Sequence, residues 1–482
     1  MNKSKELAKN TFILFIGTFL TKVIQYFLLP VYTFYLSTSE YGTYELFNTL
    51  IYLAIPIAGL QIEQSTFRFL INHRNDIDKN KKVISSSFYF NLFINGIVLI
   101  LFFLLGNLIN NPYKNIFIVN LIIISFSSIF LQISRGIGDN KTYAIASFLI
   151  SIFSILFNIL FITVFKFQAN GMMYGTAIGY LIGIVYIFLK LKLYKYISYT
   201  SIDYKMLKEM LKYSLPMIPN TISWWIFSSS DRFIISNFIS LSATGILSVS
   251  YKFSNIIIVI YNVFNLSLTE SISLHIDDDD IEEYYNNVFN TIGNFFVTLG
   301  MLLISCMPII FKLLINDNYN DAYNLIPIAI ISTNFQVLAT MLGTIYVAKK
   351  NTNSVAITSL IAAIINLVTD IMLIRLIGIY AAVVSTVLSY LFLLIYRIFD
   401  IKRKFFTIKL RKDLIVNTML NSFIICILFY ANNAITNIIS ILLSICLAII
   451  FNKSNILLLK KMLKKKWFKN NFKVLLMIKK CV

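Results

Sequence analysis

Charge is scarce in this sequence and acidic charge scarcer still. Only 13% of its 482 residues are Asp, Glu, Lys or Arg, and 42 of these are basic against 22 acidic. A soluble domain spends roughly a quarter of its residues on charge, so this chain is not built for water. Cysteine is nearly missing: there are four, and Cys306, Cys426 and Cys446 sit inside apolar runs, which excludes a secreted disulfide scaffold. The two histidines, His73 and His275, lie far apart without Cys or carboxylate partners at ligand spacing, so no zinc or iron centre is expected. No Walker lysine motif occurs, and ATP hydrolysis is not expected either. What the chain has in abundance is hydrophobicity, 58% of residues with a mean hydropathy of +0.76, which excludes disorder.

A bilayer core of about 30 Å takes about 20 apolar residues in a helix, and lipid tolerates no unpaired backbone. Counted on that basis, the sequence predicts an all-α polytopic membrane protein of about fourteen spans. The first is placed at 11–36, the seventh at 213–236, the twelfth at 377–397 and the last two at 413–431 and 434–452. The first is too long for a signal-peptide core, lacks a small-residue cleavage site and runs straight into a second span. Lys and Arg accumulate in cytoplasmic loops, and with the N-terminus inside they separate cleanly. The inner set includes Arg68 to Lys82, Lys190 to Lys212, Arg397 to Lys412 and the lysine-rich tail. Only Lys114, Lys166, Lys312 and Arg375 fall outside, and Lys22, Arg232 and Lys252 remain within spans. The expectation is a bacterial cytoplasmic-membrane protein with both termini cytoplasmic.

One inner loop is acidic, from Asp277 to Glu283. It lacks the alternating ligands and glycine of an EF-hand loop and reads as solvated. The tail, with Lys460-Lys461 and Lys464-Lys465-Lys466, follows the final span and reads as lying on anionic membrane lipids, not on nucleic acid.

The chain also repeats itself. The segment Phe34 to Gly42 closes span one and Asn237 to Gly245 closes span seven, with Ser, Ser and Gly at the same spacing. Gly175-Thr176-Ala177-Ile178-Gly179-Tyr180-Leu181 in span six resembles Ser385-Thr386-Val387-Leu388-Ser389-Tyr390-Leu391 in span twelve. Both matches imply one shift, a little over 200 residues. The domain reading is an N-lobe at 1–195, a C-lobe at 196–400, an extra helix pair at 401–452 and a basic tail at 453–482.

Span seven opens Tyr213-Ser214-Leu215-Pro216-Met217-Ile218-Pro219, continues through Trp224-Trp225 and ends Asp231-Arg232-Phe233. With the turn Leu36-Ser37-x-x-x-Tyr41-Gly42 and the span count, it resembles the polysaccharide-transport branch of the multidrug/oligosaccharidyl-lipid/polysaccharide exporter superfamily, over spans one to twelve. The resemblance implies a MATE-like arrangement of two six-helix lobes, alternating access and no enzymatic step. It implies a flippase that carries undecaprenyl-pyrophosphate-linked oligosaccharide to the outer leaflet for O-antigen, capsule or related polymers. It also implies work beside other polysaccharide-assembly membrane proteins. No bound cofactor is expected; proton or sodium movement is the candidate driving force.

Ionisable groups inside spans are functional candidates by default, because each costs several kcal/mol unless paired or facing a cavity. A pyrophosphate carries about two negative charges and needs cations at mid-depth, which points to Lys22, Lys252 and Arg232. The competing reading is that each cation pairs with a nearby carboxylate and fixes helices together. Glu63, Glu270, Asp231 and Asp370 are candidates for ion coupling or gating, against a reading as helix-end carboxylates near headgroups. Trp224 and Trp225 sit mid-helix, where they either stack on sugars or fill a core. Pro216 and Pro219 are expected to bend their helix, with Pro30 and Pro56 doing likewise in the first half. Asn91, Asn95, Asn158, Asn265, Asn334 and Asn366 suit a wet cavity or interhelical hydrogen bonds. Two alternatives stay open: a multidrug cation exporter, expected to carry cavity carboxylates without balancing lysines, and a peptidoglycan-precursor flippase, close in mechanism and equally suited by fourteen spans. A membrane polymerase or glycosyltransferase is expected to need a large outer loop, and the outer connections here are short.

Overall fold

The computed structural model describes residues 28–74, 76–105 and 111–453. Helices are the only regular structure among them. The first four are α1 (Leu29–Tyr35), α2 (Thr38–Ala58), α3 (Ile62–Asn72) and α4 (Ile77–Leu105). Then come α5 (Lys114–Gly136), α6 (Asn140–Ile159), α7 (Gln168–Lys190), α8 (Tyr204–Ser214) and α9 (Ile218–Phe238). The rest are α10 (Leu241–His275), α11 (Ile281–Leu314), α12 (Asp321–Ala348), α13 (Thr352–Ile377), α14 (Tyr380–Lys404), α15 (Lys412–Leu420), α16 (Cys426–Ala431) and α17 (Ala434–Phe451).

Among the described residues, eleven helices are long and apolar enough to cross a membrane, and the bent pair α2–α3, at 57°, makes up to twelve. The bend follows from the sequence: Pro56 lies in the last turn of α2, and Leu60 and Gln61 take left-handed backbone before α3 begins. The count of fourteen is not confirmed. Most of span 11–36, Lys22 included, lies outside the described residues, and span seven corresponds to α9. That helix has 21 residues but is too polar to pass the same test, with Asp231, Arg232 and five serines along its length. The protein is nevertheless a multi-pass helical membrane protein.

Two compact units divide the chain. Unit 1 takes in the chain up to Lys252 together with Leu314–Ala322 and Ser359–Ser385; unit 2 takes in Phe253–Leu313, Tyr323–Thr358 and the chain from Thr386 on. Residues 196–252, which the repeat pattern assigns to the second lobe, pack in unit 1. Within unit 1, α6 and α7 approach closely because Gly175, Gly179 and Gly183, one turn apart, present bare backbone. A Cβ at each would collide with Asn158, Ser154 and Ile150 respectively. Amphipathic α8 buries Met210 in a cluster with Ile62, Leu70 and Ile133, while Lys205 and Lys208 face out.

The two repeat segments meet each other in unit 1. A Cβ at Gly42 would strike the carbonyl of Leu241, and one at Gly245 would strike that of Thr38. Thr38 and Leu241 are themselves equivalent positions in the repeat, so the contact is reciprocal. Beside it the Thr38 and Ser242 hydroxyls share a 2.7 Å hydrogen bond.

Unit 2 is held by a different device. Asn286 and Asn290, one turn apart on α11, grip the extended segment before α15. Asn286 donates to the Thr407 carbonyl and accepts from the Lys409 N–H at 3.0 and 2.7 Å. Asn290 does the same for Lys409 and Arg411 at 2.9 and 2.8 Å. Arg397, counted above among loop cations, is instead buried: α14 continues to Lys404. Its guanidinium donates to Thr358 Oγ1 and to the Ala339 carbonyl.

Candidate functional site

The turn after α1 shows why its motif residues are there. Ser37 caps α2 in a reciprocal capping box with Glu40. Gly42 admits the backbone of α10. Tyr41 donates its hydroxyl proton to Glu45 Oε1 at 2.9 Å. Continuing along α2, Tyr41, Tyr44, Glu45, Asn48 and Tyr52 recur at helical spacing and form one face. That face, with Tyr32 of α1, Asn158 and Ser154 of α6 and Thr176 and Tyr180 of α7, lines a cavity of about 270 Å³ in unit 1. Lys252 of α10 stands at its wall.

The cavity's polar groups are linked. Asn158 donates to the Tyr32 hydroxyl at 3.2 Å, and Tyr44 and Thr176 share a 3.3 Å contact. Tyr52, Tyr180 and Asn48 stand beside them on the same wall.

Glu45 binds two cations. Lys252 Nζ lies 2.9 Å from Oε1 and Arg232 Nε 3.7 Å from Oε2. Measured from the Thr38–Ser242 contact, Glu45 and Lys252 stand about 10 and about 15 Å along their helices. The two cations differ in access: the Lys252 side chain is 36% exposed and the Arg232 side chain 11%. Arg232 is further fixed by the Ser248 hydroxyl at 3.1 Å and the Ser228 carbonyl at 3.2 Å, and it lies over the Tyr251 ring. The pairing that competed with a functional reading is therefore real for both cations, yet one carboxylate serves two positive charges.

Asp231 and Asp370 form a second group in unit 1. Tyr251 donates to Asp231 Oδ2 at 2.6 Å and reaches the Ala382 carbonyl at 3.4 Å. Ser385 donates to that carbonyl and accepts from Asn366, one turn before Asp370 on α13. Asp370 is fully buried, neither of its oxygens has a hydrogen-bond partner among the described residues, and the charge of Asp231 bears on it.

The remaining candidates are dispersed. Glu63 is buried in the first turn of α3. Glu270 is exposed on α10 and belongs to unit 2. Trp225 donates from its indole N–H to the Thr49 carbonyl at 2.7 Å, so it ties α9 to α2, while Trp224 is half exposed. Pro216 and Pro219 do not kink a continuous helix: they fall at the junction where α8 passes through a 3₁₀ turn into α9. Sequence reasoning counts Glu45 among the span carboxylates but missed the tyrosine face of α2 that carries it. Its signal was the spacing of 41, 44, 45, 48 and 52.

Residues 7–269 match the family described as "Polysaccharide biosynthesis protein". Among curated proteins no sequence matches significantly. The structure is similar to that of the lipid II flippase MurJ in an inward closed conformation, with a TM-score of 0.70 and 19% identity, covering 93% of this chain and all of that one. It is similar to an inward-facing multidrug resistance MATE family transporter of the MOP superfamily, with a TM-score of 0.63 and 14% identity, covering 79% of this chain and 95% of that one. A MOP superfamily transporter from Pyrococcus furiosus, whose binding pocket is described as reversed in polarity, aligns with a TM-score of 0.55 and 16% identity over 82% of this chain and 95% of that one. The structural likenesses give the chain the fold shared by these transporters, and the match over more than half its length places it in the polysaccharide biosynthesis protein family.

Proposed function

We propose that this protein is a flippase that moves a polyprenyl-pyrophosphate-linked oligosaccharide from the cytoplasmic to the outer leaflet of a bacterial cytoplasmic membrane, with both termini cytoplasmic. The observation that carries the reading is the sharing of Glu45 by Lys252 and Arg232 beside a polar cavity. Glu45 is already engaged by both cations, and Lys252 keeps an accessible face at the cavity wall, which suits an anionic headgroup. An organic cation would meet an acid already taken. Lys252, the more accessible cation, contacts the headgroup, and Arg232 supports it from behind Glu45. The reciprocal glycine contact joins helix ends that face outward on this topology, and alternating access requires it to open.

Coupling is assigned to Asp370 with Asp231. A buried carboxylate without hydrogen-bond donors is costly as a bare charge, and uptake of a proton or sodium ion offsets that cost. The Asp370→Asn variant is expected to transport without responding to an imposed proton or sodium gradient; an undiminished response would reassign the coupling.

Deleting the gene in its host is the direct test. Lipid-linked repeat units should accumulate on the inner leaflet and surface polymer should fall. Normal polymer and no accumulation, in a strain without a second flippase, would overturn the reading.

A further inference from the structure

We propose that the tyrosine-lined cavity of unit 1 is a binding subsite for a single neutral sugar ring, the one next to the phosphate of the lipid-linked glycan. The proposal rests on the flippase reading and deepens it by saying where the glycan is gripped and how much of it.

Size sets the first limit. Sites for drug-sized ligands run from about 300 to 1,000 Å³, and this cavity, at about 270 Å³, lies just below that range. It takes one ring and not an oligosaccharide.

The lining sets the second. Tyr32, Tyr44, Tyr52 and Tyr180 offer flat apolar faces for the C–H side of a pyranose, and each carries a hydroxyl. Asn48 adds an amide with both a donor and an acceptor. A ring edged with hydroxyl groups can insert among these side chains by exchanging partners with the Asn158–Tyr32 and Tyr44–Thr176 contacts, because each hydroxyl both gives and accepts hydrogen bonds.

Charge sets the third. An aromatic cage beside a carboxylate would ordinarily suit an ammonium ligand. Here Glu45 already accepts from Tyr41 and Lys252 and faces Arg232, so its charge is compensated before any ligand arrives. The cavity is thus fitted to a neutral, hydroxylated guest. Lys252 at its wall places a cation where a phosphate on that guest's anomeric oxygen would emerge.

The test uses the full-length protein in lipid nanodiscs and saturation-transfer NMR. The probes are methyl glycosides of glucose, galactose, N-acetylglucosamine and N-acetylgalactosamine, with tetraethylammonium as the cationic control. At least one glycoside should receive saturation at its ring protons. Affinity should fall about threefold to tenfold in Tyr180→Phe, Tyr44→Phe and Asn48→Ala, the range expected for loss of one hydrogen bond. The two tyrosine variants each remove a single oxygen, so they carry the test if Asn48→Ala does not fold. The proposal is overturned if wild-type protein saturates no glycoside, if the three variants bind as wild type does, or if tetraethylammonium binds in a tyrosine-dependent way. Its failure is separable from that of the flippase reading. No glycoside binding alongside trapped lipid-linked intermediates in the deletion strain removes the subsite and keeps the flippase. Glycoside binding without trapped intermediates does the reverse.

Discussion

Two buried arginines show how differently the two units use charge. Arg232 in unit 1 faces a carboxylate that also binds Lys252, beside an open polar cavity. Arg397 in unit 2 is 3% exposed and is bonded to a threonine hydroxyl and a backbone carbonyl. The first partnership is between side chains and can be exchanged for an incoming anion. The second holds α14 to α12 and to Thr358, and a ligand cannot easily replace a backbone carbonyl. The cavities differ too. That of unit 1 is lined by tyrosines and amides, whereas unit 2 has an apolar groove of about 440 Å³ lined by Phe289, Phe335, Leu391 and Leu414, and a separate charged pocket of about 660 Å³ where Glu282 and Glu283 face Lys409 and Arg411.

The largest expected difference tests that contrast directly. Lys252→Ala should abolish transport, by at least about a hundredfold, with normal protein in the membrane, since a lost cation at a headgroup costs several kcal/mol. Arg397→Ala should instead lower the amount of folded protein, by leaving the Ala339 carbonyl and Thr358 hydroxyl short of a donor at about 1–3 kcal/mol each. Surface polymer measured beside membrane protein level separates the two; reversed phenotypes would break the comparison.

Next in size is the contact between the repeat segments. The Thr38→Cys/Ser242→Cys pair should form a disulfide that arrests transport and is relieved by reductant, because the parent hydroxyls are 2.7 Å apart. Unchanged transport in the oxidised protein would show that this contact does not open.

A smaller effect is expected in the asparagine clamp of unit 2. Asn290→Ala removes both bonds to the 409–411 backbone and should cost about 1–3 kcal/mol, read as a lower melting temperature and faster proteolysis between Phe405 and Lys412. Transport per folded molecule should not change.

The smallest concerns the cap of α8. Asp203 accepts from the Met206 N–H and pairs with Lys82, and these hold its carboxyl below the usual range. Asp203→Ala should lose about 1 kcal/mol near neutral pH. Because the folded-state value is depressed, that contribution is present above the unfolded carboxylate pKa of about 4 and disappears as pH falls through the folded one. Melting temperatures of variant and parent should therefore converge in acid.

Much of this was legible in the chain itself. Apolar runs of about 20 residues must be membrane helices, because backbone polar groups have no other solution in lipid. The motif turn was visible as Ser37, Tyr41 and Gly42, and the repeat as a common shift, before either had a physical explanation. Asp231, Arg232, Lys252 and Asp370 stood out because charge in a span is costly. The sequence could not say which of them meet. Glu45 looked like one of several span carboxylates, yet α2, α9 and α10 bring it to both Lys252 and Arg232. Arg397 looked like a loop cation because hydropathy fades before the helix does. Trp225 read equally as a sugar platform or as a core residue, and its N–H donates to a carbonyl of α2.

Composition and periodicity thus determined the class of molecule and the short roster of groups that could matter, since both are enforced by lipid on each segment separately. Which cation faces which carboxylate, and which tyrosines close a cavity together, was decided by helices crossing at glycines some 200 residues apart. Close approach of that kind depends on two distant stretches at once, and no single stretch records it.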